Sequence, residues 1–105
     1  MSTDCGVIVS TFAKRQDARH VANTLLAEKL AACIQLVEIE SHYVWDGETK
    51  CEPEVMLLAK TRTDLFASAI DRIKALHPYE TPEIVAQEFS AGFRPYLNWI
   101  TAETR

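Results

Sequence analysis

Glycine and proline are scarce in this chain of 105 residues, three and four in number, and no stretch is of low complexity. Linkers are rich in those residues or in serine, so a single domain spanning 1–105 is expected. Cysteine is sparse too: Cys5, Cys33 and Cys51 form an odd set without C-x-x-C spacing. That pattern excludes a disulfide framework, and reduced thiols point to a cytoplasmic setting. No apolar run approaches the roughly 18 residues of a helical membrane span. Met1–Cys5 lacks the charged and apolar regions of a secretion signal. Basic residues are dispersed, with no run longer than Lys14-Arg15, and the formal charge is −4. A nucleic-acid partner is therefore not expected. Signatures of catalysis are missing as well: there is no glycine loop for phosphate and no H-E-x-x-H. With three histidines in the chain, only His77 has a suggestive setting, beside Glu80, and no enzyme is expected.

What is present is ordinary globular material, 48% hydrophobic and 25% charged. Val7-Ile8-Val9 is short and β-branched, as in a buried strand. From Gln16 to Leu30, Ala18, Val21, Ala22 and Leu25 follow helical spacing. Cys33 to Trp45 alternates, but Ile34 and Leu36 share one phase and Val37, Ile39, Ser41, Tyr43 and Trp45 the other. That slip predicts a bulge near Leu36-Val37. Asp46-Gly47 is a hairpin turn signal, and the return strand runs from Glu48 to about Arg62, with a second bulge expected at Pro53. Thr63-Asp64 predicts a helix start capped by Asp64. Phe66, Ala69, Ile70 and Ile73 form its apolar stripe, and Pro78 ends it at His77. Glu83–Phe89 reads as the last strand, and Pro95 opens a terminal helix with Tyr96, Trp99 and Ile100 on one side.

The order is β-α-β-β-α-β plus a C-terminal helix: an α+β, ferredoxin-like split βαβ fold with an antiparallel sheet and a long hairpin between its second and third strands. The second strand lies at a sheet edge in that topology and is too long for its own domain. Pairing with a neighbouring chain would satisfy both the edge and the arm.

Several segments together resemble the CutA family of divalent-cation tolerance proteins: Leu26–Cys33, Tyr43 with Trp45-Asp46-Gly47, Lys60-Thr61, His77–Glu83 and Tyr96–Trp99. The resemblance covers Val7 to Arg105. It implies a homotrimer joined through its hairpins, a link to tolerance of copper and other divalent metals, and copper binding in some members. Carried over on this resemblance, Cys33 and His77 are the expected metal ligands. Imidazole suits copper and zinc, and thiolate suits Cu(I) and zinc. Glu80 and Glu83, near His77 on a proline-stiffened loop, could add oxygen ligands. Some relatives have a cysteine where this chain has Ser10, a far poorer soft-metal ligand. The alternative for each is structural: Cys33 as a small buried apolar group, His77 as a helix terminator.

His20, His42, Cys5 and Cys51 show no ligand spacing and read as solvated or incidental. Tyr43, Trp45, Tyr79 and Trp99 either pack at interfaces or line clefts between subunits with Lys60, Arg62 and Glu83. Lys60 interrupts an apolar strand and is expected to pair with Glu80 or Glu83. The function expected is a homotrimeric cytoplasmic protein of copper and divalent-metal tolerance that binds Cu or Zn weakly. The alternative is a signalling or adaptor trimer that recognises a small ligand or a partner protein in its inter-subunit clefts.

Overall fold

The β-branched run Val7-Ile8-Val9 forms the inner part of β1 (Cys5–Phe12) in the computed structural model, which describes residues 3–105. There follow α1 (Arg15–Ala27), β2 (Cys33–Trp45), β3 (Glu48–Arg62), α2 (Phe66–Leu76), β4 (Ile84–Glu88) and α3 (Arg94–Glu103). The strands form one antiparallel sheet in the order β2-β3-β1-β4. This is the ferredoxin-like α+β architecture with an added C-terminal helix.

Residues alternate between the two faces of each strand, and the register assigns them. Ile8, Ser10 and Phe12 of β1 stand beside Ala59, Leu57 and Val55 of β3 and face α1 and α2. The core lies there, with Val21, Leu25, Leu57 and Ile73 fully buried. On the other face α3 covers one end only, where Leu97 and Ile100 pack on Cys5. Trp99 is 42% exposed, so the buried stripe of α3 is Leu97–Ile100 and not the expected Tyr96–Trp99–Ile100 side.

Three expected details are corrected. α1 ends at Ala27, before the expected Leu30, because Lys29 turns into the left-handed region at φ +58°. The Leu30 N–H then reaches back to the Leu25 carbonyl at 2.9 Å, a Schellman closure. Asp64 caps nothing: a 3₁₀ turn (Thr63–Leu65) precedes α2, and the Asp64 carboxylate instead accepts from the Arg62 guanidinium at 2.9 Å. Neither bulge exists, since pairing of β2 with β3 runs without interruption from Cys33↔Lys60 to Trp45↔Glu48, through Glu40↔Pro53. The change of apolar phase has another cause. Ile34 and Leu36 face the helices, whereas farther along the apolar residues move to the opposite face.

The hairpin closes on Asp46 and Gly47, both at positive φ (+51° and +75°), as a type I′ turn requires. β1 pairs only with residues 55–62 of β3. Residues 48–54 therefore pair with 39–45 alone and form a two-stranded arm about 23 Å long at the usual strand rise. The radius of gyration, 14.3 Å, exceeds the ~13 Å of a compact chain of this size. The arm accounts for the excess, drawing the molecule out to 44 Å along its longest axis.

Candidate functional site

Of the four expected ligands, His77 is the most completely defined. Pro78 holds it in an extended conformation (φ −74°, ψ 134°) just past α2. Its ring stacks on Phe12 with centroids 4.2 Å apart and planes at 15°. Nδ1 accepts the Tyr79 N–H at 3.1 Å, so Nε2 carries the proton and donates to the Thr11 carbonyl at 2.8 Å. β4 pairs with β1 no farther than Ser10↔Ile84, so the imidazole bonds a β1 carbonyl beyond the reach of that strand. Burial favours the neutral ring and lowers its pKa below the ordinary value; nearby Lys74 adds to this, while the Thr11 bond, Asp17 and Glu54 oppose it. Both ring nitrogens are thus engaged within the chain.

Cys33 lies elsewhere. It pairs with Lys60, on the sheet face opposite that of Phe12 and the helices, and is half-buried. Glu80 and Glu83 are exposed on the loop before β4. The Glu83 carbonyl accepts the buried Ser10 hydroxyl at 2.8 Å, so Ser10 serves here to anchor that loop. Within one chain, sheet and loop hold Cys33 and His77 on opposite sides and leave the two carboxylates facing solvent.

The expected partner of Lys60 is also corrected. Its Nζ stands 5.6 Å from the centroid of the Tyr96 ring, which in turn stacks on Trp99 at 5.7 Å. The electron-rich ring face replaces the expected carboxylate. Tyr79 donates its hydroxyl to Glu54 at 2.9 Å, and burial followed by that carboxylate pushes the phenol well above its ordinary pKa. Arg62 is held by Asp64 and by the Arg105 carbonyl.

Two surface features stand out. The sheet face that α3 leaves open carries Val9, Met56 and Leu58, flanked by Val37 and Val85, which are 46% and 55% exposed. Farther out, Trp45 is 51% exposed near the end of the arm. On the helix side, an open cleft of about 790 Å³ lies under the arm, with Arg15, Glu38, Glu40, Cys51, Glu54 and Val55 in its wall. At its edge Glu40, His42 and Cys51 come together, their ligand atoms all within 4.8 Å of one another. Spacing along either single strand does not announce this cluster. Counting back from the Asp46-Gly47 turn brings His42 opposite Cys51, with Glu40 on the same face.

Among the described residues no helix is long and apolar enough to cross a membrane. The model of the family described as CutA1 divalent ion tolerance protein matches residues 6–103. The divalent-cation tolerance protein CutA of Thermus thermophilus is 42% identical over 99 residues, covering 93% of this chain and 96% of that protein. A chloroplastic CutA protein of Arabidopsis thaliana is 36% identical over 94% of this chain, which spans only 55% of the plant protein. Among solved structures, a periplasmic divalent cation tolerance protein CutA from Archaeoglobus fulgidus superposes with a TM-score of 0.91 at 34% identity, over 94% of this chain and 97% of that one. These names correct the cytoplasmic expectation: relatives are described as periplasmic and chloroplastic, so thiol count and composition do not assign a compartment. The family description names tolerance of divalent ions and no reaction. A family-model match over nearly the whole chain, with relatives of this similarity, shows that the chain belongs to the CutA1 divalent ion tolerance protein family.

Proposed function

We propose that this protein acts as a homotrimer that binds divalent cations weakly, copper among them, and contributes in that way to metal tolerance. The observation that carries the assembly is the combination of an open apolar sheet face with a two-stranded arm whose β2 edge is unpaired. A two-stranded ribbon is at best marginally stable alone in water, and an exposed edge invites another strand. A three-fold ring places each arm on a different surface of its neighbour and closes on itself, which leaves no edge to propagate. Covering the open face contributes about 25 cal/mol for each Å² of apolar surface removed from water.

Family membership supports the metal half of this reading. Cys33, Glu80 and Glu83 are the groups of the expected set that a cation reaches without breaking internal bonds. His77, on the other side of the sheet within one chain, offers a ring nitrogen only by giving up the Tyr79 N–H or the Thr11 carbonyl. The test is a competition titration of the reduced protein with Cu(I), Cu(II) and Zn(II) against chelators, repeated with Cys33→Ser and His77→Ala. Weakened binding in Cys33→Ser supports this ligand assignment. Unchanged affinity in both variants removes it.

A further inference from the structure

We infer that Glu40, His42 and Cys51 form a second divalent-metal site on the arm, a three-ligand site for a borderline ion such as Zn²⁺ with one coordination position open to solvent. The site uses none of Cys33, His77, Glu80 or Glu83 and does not depend on them.

Its origin is the hairpin register. The type I′ turn fixes His42 opposite Cys51, and Glu40 stands two residues before His42 on the same face of β2. The three side chains therefore project together from a paired β-ribbon. His42 Nε2 lies 2.8 Å from Glu40 Oε2 and 3.6 Å from Cys51 Sγ. Tetrahedral zinc with ordinary bond lengths separates nitrogen from sulfur by about 3.5 Å and nitrogen from oxygen by about 3.4 Å. The S···N distance already suits a bound ion. The N···O contact is a hydrogen bond that must open by about 0.6 Å, and the Glu40 oxygen must also close on Cys51 Sγ, from within 4.8 Å to about 3.6 Å, rotations open to exposed side chains.

The donor set is chemically selective. Thiolate, imidazole and carboxylate together suit Zn²⁺ and related borderline ions, whereas Mg²⁺ and Ca²⁺ take oxygen ligands. Structural zinc sites are closed by four protein ligands, whereas three ligands leave a position for water or an incoming ligand. Here Glu40 and Cys51 stand in the wall of the open cleft, so that position is reached from solvent. The His42 and Glu40 side chains are 62% and 71% exposed, so an ion exchanges without unfolding the arm.

Cobalt(II) is the probe, because its thiolate charge-transfer and tetrahedral d–d bands report the ligand set directly. The reduced full chain is titrated with Co²⁺, which Zn²⁺ then displaces. A thiolate-to-cobalt band is expected in the wild type and in Cys33→Ser. Cys51→Ser should abolish it. His42→Ala and Glu40→Gln should each weaken Co²⁺ binding at least about tenfold. These positions are exposed, so the variants keep their fold, which circular dichroism verifies. A band that survives in Cys51→Ser, or no band at all in the wild type, overturns the site. Loss of the band in Cys33→Ser with retention in Cys51→Ser overturns it in favour of the other thiol.

Discussion

Phe12 and His77 lie 65 positions apart in sequence yet stack as nearly parallel rings, 4.2 Å between centroids. The pair joins the end of β1 to the end of α2. Phe12 is fully buried and His77 is 8% exposed, so the imidazole belongs to the core it borders. Its hydrogen bonds serve the backbone: Nε2 satisfies a strand carbonyl and Nδ1 holds the next turn in place.

This placement has a pH signature. The folded state lowers the His77 pKa, with burial as the leading cause. As pH falls below about 6.5, the unfolded chain takes up a proton that the folded chain resists. Stability from this group is therefore complete above that pH, declines as pH drops toward the lowered folded value and then levels off. His77→Gln should flatten that part of the curve at fixed protein concentration. An unchanged pH slope in urea melts between pH 7 and 5 would remove the assignment.

Gly6 has no room for a side chain. A Cβ there would meet the Gln87 carbonyl oxygen in β4 and the Phe66 ring, the latter at 2.6 Å. The Gln87 oxygen is backbone of a paired strand and cannot step aside cheaply. Gly6→Ala should cost about 3 kcal/mol or more, at the upper end of overpacking effects. Its urea midpoint, compared at equal protein concentration, measures this; a midpoint within error of wild type would contradict the packing described.

Thr61 presents the opposite case. Its hydroxyl is fully buried and has no hydrogen-bond partner among the described residues. An unmet buried polar group costs about 1–3 kcal/mol. Thr61→Val keeps the shape and removes that group, so stability should be unchanged or higher by about 1 kcal/mol. A loss of more than about 1 kcal/mol would show that the hydroxyl has a favourable role in the folded protein.

Local chemistry accounts for what could be read from the chain. Asp46-Gly47 announced the turn, and β-branching with helical spacing announced the elements on either side of it. Facing was harder. The slip of apolar phase between Leu36 and Val37 imitated a bulge because helices cover one face of β2 near its start, while the apolar residues farther out take the other face. Long-range partners were out of reach. Nothing near His77 in sequence points to Thr11, and nothing near Lys60 points to the Tyr96 ring. The Glu40–His42–Cys51 cluster was legible by counting pairs from the turn, but ligand spacing measured along a single strand does not show it.

In the proposed trimer, sister chains pair with the β2 edge of the arm and cover the open sheet face, leaving the helix-side face of the arm in solvent. Sedimentation velocity on the reduced protein at micromolar concentration, with and without divalent cation, tests it most directly. A single species at three times the 11.8 kDa chain mass is expected, present without metal. Val37→Glu, which places a charge on the open face, should dissociate this species. A stable 11.8 kDa monomer in the wild type would contradict this assembly, because the arm would then stand unpaired in water.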